Sequence, residues 1–510
     1  MSTRKDLNHT FTRVVSNRIC KYAGLHSRRD FLKQIGFGAS TLFLSQLIPS
    51  RAMAGEKRKD SAAGALYNEK YRPQFHFTPR KNWTNDPNGL VYYKGEYHLF
   101  FQHNPTGINW GNMTWAHAVS TDLIHWKQLP NAIEPDELGT IFSGSAVVDW
   151  NNTAGFQTGA ESVLVAFYTS AGSHAPKKVP FTQSIAYSND RGRTWVKYKN
   201  NPVIGHIRAS NRDPKVIWHE PTKTWIMALF LDRNDFVLFS SKDLKKWTHI
   251  QDIKLPGSSE CPDFFPLAVD GDPANTRWVF WGGNGRYLLG TFDGRKFTQQ
   301  AGPFESSVGN FYASQSYSDI PESDGRRIQI AWMAGGKFPG MPFNQQMSIP
   351  CELTLRTFPE GIRLCRVPAR EIEKLRGVYW DLKNTTVEPG EKLLSAISAE
   401  LFEIQTEMEP ASASELVFNL RGNPLTYNVK DKMLRCKGKR VKLTPIDGVI
   451  KLHILVDRTS IEVFPNYGQV TMHLCFPLDT NNTSVNVSAR GGQAKIQSLT
   501  LHKLKSIWPR

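Results

Sequence analysis

The chain has 510 residues, of which 40% are hydrophobic and 11% aromatic, with only 38 Gly and 30 Pro. That composition excludes a small single module, a disordered tail and a fibrous repeat, and it supplies enough apolar side chains for a sizeable core. The formal net charge is +17, but residues 1–54 carry nine Lys or Arg against two acids, which leaves +10 for the other 456 residues; no basic cluster interleaved with aromatics accompanies it, so no nucleic-acid partner is expected.

In chain order, the first segment reads as an export signal. A basic leader runs into Ser27-Arg28-Arg29-Asp30-Phe31-Leu32-Lys33, then a mostly apolar stretch from Ile35 to Ile48, then Ala52-Met53-Ala54. The paired arginines are similar to those of a twin-arginine signal, and Ala52 and Ala54 occupy the small-residue positions that a signal peptidase needs. The apolar stretch falls short of the ~20 residues of a membrane span. These features place the signal at residues 1–54 and predict a mature protein in the periplasm or outside the cell, with no membrane anchor.

A polar linker over 55–69 follows. Short apolar or alternating runs then dominate: Leu90 to Tyr93, Tyr97 to Gln102, Val163 to Thr169, Trp225 to Leu231, Trp278 to Trp281 and Ile328 to Met333. Gly, Asn, Asp and Pro bound them, the strand-and-turn signature of an all-β chain. Asp122, Asp190, Asp243 and Asp293 each open a turn that leads to an aromatic four or five residues on, and they lie 68, 53 and 50 residues apart. Repeats of that length predict blades of a β-propeller over residues 70–375, the alternative being unrelated Asp turns in a sandwich.

From about residue 376 the texture changes to alternating stretches such as Leu416 to Leu420 and Val449 to Val456, which predict a β-sandwich over 385–510 with the junction near 370–385. Five cysteines follow the signal, namely Cys261, Cys351, Cys365, Cys436 and Cys475. The odd, sparse set predicts buried thiols and no disulfide framework, and without a C-x-x-C spacing no zinc site is expected. Neither a metal nor a cofactor is called for.

Three carboxylates stand out. The run Asn82-Trp83-Thr84-Asn85-Asp86-Pro87-Asn88-Gly89 reads as a sharp turn that buries little and presents Asp86 away from the backbone, because Asp-Pro and Asn-Gly are turn formers. In Asn211-Arg212-Asp213-Pro214 the arginine either keeps its neighbour ionised or binds a hydroxyl-rich ligand, a surface ion pair being the plainer alternative. Ser259 to Pro266 sets Glu260 among apolar and aromatic residues, where desolvation favours a proton-donating carboxyl. Three acids near strand ends of three repeats are expected to converge at the propeller axis as nucleophile, general acid and anchor of a retaining glycosidase. Trp83, Trp110, Trp115, Phe142 and Trp332 are candidates for a sugar-binding wall, although in a chain with 14 Trp several belong to the core.

These motifs resemble those of glycoside hydrolase family 32, the fructan hydrolases and invertases. The family's W-x-N-D-P-N-G matches Trp83 to Gly89, its R-D-P matches Arg212-Asp213-Pro214 and its E-C-P matches Glu260-Cys261-Pro262. Phe100 to Pro105, Trp115 to Ala118, Phe142 to Ser145 and Asp457 to Phe464 extend the likeness over roughly 70–505 in the family's order. The resemblance implies a five-bladed β-propeller followed by a β-sandwich, with Asp86 as nucleophile, Glu260 as general acid/base and Asp213 holding fructose hydroxyls. It implies that Asn85, Gln102, Trp110, Phe142, Ser143, Arg212 and Trp332 line the fructose pocket. Two positions depart from the pattern: Asn310 stands where Asp is frequent before Phe311-Tyr312-Ala313, and Thr84 where an apolar residue is frequent. The expected activity is release of terminal β-fructose from levan or inulin, and also sucrose, with an invertase as the alternative within the class. A non-catalytic fructan-binding propeller would have no need of all three acids.

Overall fold

The computed structural model describes residues 66–508. The expected export signal, and the linker as far as residue 65, lie outside those residues.

The short runs fold as antiparallel strands in four-stranded groups, each taken in sequence order. The first group holds Asn82–Tyr93, Glu96–Asn104, Thr114–Ser120 and Lys127–Ile133; the second Thr140–Asp149, Val163–Ala171, Thr182–Ser188 and Val196–Lys197; the third Arg212–His219, Thr224–Asp232, Asp235–Ser241 and Thr248–Lys254. The last two share one sheet: Asp263–Val269, Asp272–Trp281, Arg286–Phe292 and Phe297–Glu305 join Tyr312–Ser316, Arg327–Trp332, Cys351–Phe358 and Gly361–Pro368 through a parallel pairing of Val269 with Leu355. The ring closes where Tyr92 N–H donates to Ser318 O at 3.0 Å and Ser318 N–H donates to Leu90 O at 2.9 Å. The result is a five-bladed propeller.

The repeated aspartates occupy equivalent places, between the third and fourth strands of the first four blades. Each accepts backbone N–H groups from its own turn: Asp122 from Ile124 and His125, Asp190 from Arg193 and Thr194, Asp243 from Lys245 and Lys246, Asp293 from Arg295 and Lys296. That is the reason for an Asp at this spacing, since its short carboxylate substitutes for backbone partners that a turn lacks. The fifth blade turns tightly between Phe358 and Gly361 and carries no such Asp.

Apolar faces pack between blades, for example Phe264, Trp278, Phe280 and Phe297 against Ile226, Leu238 and Ile253. The first strand of each blade lines the axis, where hydrogen bonds replace apolar packing. Ser145 Oγ donates to Pro214 O and accepts from Val216 N–H, while Gln315 spans Gly144 O and Leu90 N–H.

After a 3₁₀ turn at Arg370–Leu375, residues 376–384 belong to the strand Arg376–Val387, the edge of a seven-stranded sheet in which it pairs with Ala494–Leu504. A five-stranded sheet packs over it, and the alternating residues of both form one apolar layer including Phe402, Phe418, Ile454 and Val487. The Asp457 to Phe464 motif sits at the seam with the propeller. His76 bridges Asp457 Oδ2 at 2.8 Å and Glu462 Oε2 at 2.5 Å, Asp457 also accepts Gln74 and Phe75 N–H, and Glu462 Oε1 pairs with His473. Among the described residues no helix is long and apolar enough to cross a membrane.

Candidate active site

The run from Asn82 to Gly89 is not the exposed turn its composition suggests. It forms the start of the innermost strand of blade one, with register shifts between Thr84 and Pro87 and between Asn88 and Val91, and Thr84, Asn85, Asp86 and Asn88 are all buried. Irregular pairing lets the Asp-Pro step fit a strand. Gly89, at φ +53°, has no room for a Cβ beside the Phe100 ring, 2.6 Å away.

Asp86 is 1% exposed, so its carboxylate needs fixed donors. Ser143 Oγ donates to its Oδ2 at 2.5 Å and Asn85 Nδ2 to its Oδ1 at 2.9 Å, while Trp83 Nε1 holds Asn85 Oδ1 at 2.8 Å. Cys261 joins Asp86 to Asp213. Its Sγ lies 3.7 Å from Asp86 Oδ2 and 3.5 Å from Asp213 Oδ2, and its N–H donates to Asp213 Oδ2 at 3.0 Å. Asp213 is therefore no surface group; it is 3% exposed.

Glu260, next to Cys261, is buried too, but it is not an unpaired acid in an aromatic setting. Its Oε1 forms an ion pair with Arg212 and its Oε2 accepts the Tyr312 hydroxyl. The neighbouring Phe264 and Phe265 point their rings into the two faces of the blade. Arg212 approaches its sequence neighbour Asp213 only to 3.8 Å, its guanidinium instead reaching Glu260 across blades while lying over the Phe230 ring. Asp213, Glu260, Cys261 and Ala313 all have φ between +43° and +65°. Such backbone costs about 1–3 kcal/mol per residue and concentrates at functional sites.

Trp83 and Trp332 meet edge to face at 6.2 Å, and Trp332 faces Tyr312 at 6.4 Å, so this wall closes a circuit from Asp86 through Asn85, Trp83, Trp332, Tyr312 and Glu260 back by Cys261. Trp110 and Phe142 form a second group, 5.9 Å apart, with Phe142 leading directly into Ser143. Gln102 Nε2 fixes that strand through Ile141 O at 2.9 Å. Trp115 is core, not wall: it is fully buried against Phe100 and Tyr168, and its Nε1 donates to Phe142 O. Among the described residues no group of three or more His, Cys, Asp or Glu is arranged to hold a metal ion.

The sequence profile of the glycosyl hydrolases family 32 N-terminal domain matches residues 76–368, and that of the family 32 C-terminal domain matches residues 371–503. The chain belongs to glycosyl hydrolase family 32. A levanase of Bacillus subtilis (strain 168) is 43% identical over 499 residues, covering 88% of this chain and 72% of that protein. An extracellular exo-inulinase of Aspergillus awamori is 31% identical over 520 residues, covering 87% and 96% respectively. Among solved structures, exo-inulinase of Aspergillus awamori superposes with a TM-score of 0.77 at 30% identity, covering 87% of this chain and all of that one. A fructofuranosidase of Schwanniomyces occidentalis complexed with fructosylnystose does so with the same TM-score at 27% identity, covering 88% and 99%. The chain is a glycoside hydrolase of the propeller-and-sandwich type.

Two residues of this family 32 site have no local signal. Tyr312 stands in an ordinary strand pattern, and only folding brings its hydroxyl to Glu260. His174, exposed in the blade-two loop, lies 5.5 Å from the rings of both Trp110 and Phe142.

Proposed function

We propose that this chain is a retaining exo-β-fructosidase, with Asp86 as nucleophile, Glu260 as acid/base and Asp213 as the carboxylate that holds fructose hydroxyls. The observation that carries this reading is the meeting of the three acids at Cys261, whose Sγ and N–H touch Asp86 and Asp213 and whose preceding residue is Glu260. Asp86 attacks the anomeric carbon of a terminal β-fructosyl unit as Glu260 gives its proton to the leaving oxygen. The bond to the leaving group breaks and a fructosyl-enzyme ester forms; Glu260 then takes a proton from water, which releases fructose with its β configuration retained. Asn85 and Ser143 hold the nucleophile, and Arg212, with Tyr312, holds the acid. Gln102, Trp110, Phe142 and Trp332 are assigned to the fructose pocket.

Levan and inulin are the proposed substrates, in keeping with the levanase and exo-inulinase relatives, with sucrose also accepted. An exo mode is supported by the hydrogen bonds that join the inner strands of different blades, Ser145 Oγ to Pro214 O and Gln315 to Gly144 O and Leu90 N–H. The cavity beside the acids, about 10 Å³ and lined by Ser143, Asp213 and Cys261 together with Asn88, Gly144 and Gln315, has room for about one water. Incubation with levan, inulin and sucrose tests this: time-resolved chromatography should give fructose as the sole early product, and a ladder of oligosaccharides preceding it would contradict the exo mode. Export through the paired arginines is part of the proposal, supported by the leader motif and by the extracellular relatives. Changing Arg28 and Arg29 to Lys should strand active enzyme in the cytoplasm, whereas normal export would refute a twin-arginine route.

A further inference from the structure

Beneath the three acids the same inner strands carry a buried ion pair that no step of the reaction uses. Lys215 Nζ lies 3.5 Å from Asp263 Oδ1, and both side chains are essentially without solvent contact. Between them they grip both backbone polar groups of one residue in the fifth blade: Ser316 N–H donates to Asp263 Oδ2 at 2.6 Å, and Lys215 Nζ donates to Ser316 O at 2.6 Å. Asp263 Oδ1 also accepts Phe264 N–H.

The places of these three residues match those of the acid and its two holders. Glu260 lies three residues before Asp263, Arg212 three before Lys215, and Tyr312 four before Ser316. The ion pair therefore ties together, one step below the site, the strands that deliver the Glu260 carboxylate, the guanidinium on its Oε1 and the hydroxyl on its Oε2. The geometry points to Lys215 and Asp263 as positioning residues for the acid/base Glu260, setting the register of three blades so that its carboxylate, Arg212 and Tyr312 meet. This inference rests on the acid/base role proposed for Glu260.

A charge pair suits that task better than an apolar contact. Buried ion pairs contribute little net stability compared with apolar residues of the same volume, but their hydrogen bonds have fixed directions. Burial pulls the Lys215 ammonium down from its ordinary value and Asp263 opposes the shift. Arg327, which donates to Tyr317 O, and Asp319, which accepts from Val148 N–H and Trp150 Nε1, stand beside the buried pair as a half-buried cation and anion.

The test separates acid catalysis from general damage by its dependence on the leaving group. Fluoride departs from β-fructofuranosyl fluoride without a proton, whereas a short β-fructan needs Glu260, and kcat/KM reports the bond-breaking step in both. Asp263→Asn, and the paired variant Lys215→Met with Asp263→Asn, should each lose about tenfold or more in kcat/KM on the fructan and less than about threefold on the fluoride. The paired variant removes both charges and leaves no orphaned ion. Equal losses on the two substrates, full activity on both, or failure of both variants to fold would overturn the positioning role. Glu260→Gln is the reference: if it shows no such substrate dependence, the acid assignment itself fails, and if it does while the pair variants do not, only this inference fails.

Discussion

The sandwich core and the propeller axis are both buried, yet they are built from opposite materials. In the sandwich, residues such as Phe402, Phe418, Ile454 and Val487 form a continuous apolar layer, where stabilisation scales with area and has no direction. Along the axis, Asp86, Asn88, Ser145, Lys215 and Asp263 are as deeply buried, and each depends on a particular partner in another blade. The difference separates robustness from function: the sandwich tolerates conservative exchange, and the axis holds acids at fixed mutual positions.

The largest expected effects fall on the axis. Asp86→Asn and Glu260→Gln should each lower turnover by about three orders of magnitude or more without loss of thermal stability, read by initial rates alongside melting curves. Near wild-type turnover in either variant would erase the distinction. The converse is expected of Ile454→Ala in the sandwich, which should cost about 2–5 kcal/mol of unfolding free energy while turnover per folded molecule stays the same.

The seam between the regions should respond to pH. Burial pulls His76 down, but the Glu462 charge and its bonds to Asp457 and Glu462 push it up to about 9 from an ordinary 6.5. Its contribution is complete below pH 6.5 and is lost as pH rises through about 9. Tm should therefore drop by a few degrees between pH 7 and pH 10, and His76→Gln should lower Tm at pH 7 and flatten that slope; an unchanged slope would remove His76 from the clasp. The smallest effect is expected at Cys261→Ser. A hydroxyl keeps a donor beside Asp86 and Asp213 at a shorter reach, so kcat should fall by about tenfold and no further. Complete inactivation with a normal melting curve would mean that the thiol does more than pack and weakly donate.

The same contrast explains what was legible in the sequence. Sandwich strands alternate because one face meets an apolar layer, and the pattern from Leu416 to Leu420 shows it directly. The blades were legible through Asp122, Asp190, Asp243 and Asp293, whose turn-capping carboxylates recur with the repeat. The axis left no periodic trace. Asn82 to Gly89 has the composition of an exposed turn, and its burial depends on partners such as Ser143 and Gly144, more than fifty residues away. For Glu260 the adjacent phenylalanines misled, because they pack into the blade while Arg212 and Tyr312 arrive from positions about fifty residues to either side. The likeness to family 32 motifs singled out the three acids and passed through Phe311-Tyr312-Ala313 without giving Tyr312 a role, and it gave none to His174 or to the Lys215 and Asp263 pair.

The account stands on the arrangement of Asp86 and Glu260 as nucleophile and acid on one fructosyl unit. NMR of fructose as it is released from levan tests it most directly: double displacement predicts that the first product signal has the retained β configuration, and initial release of the α anomer would contradict it.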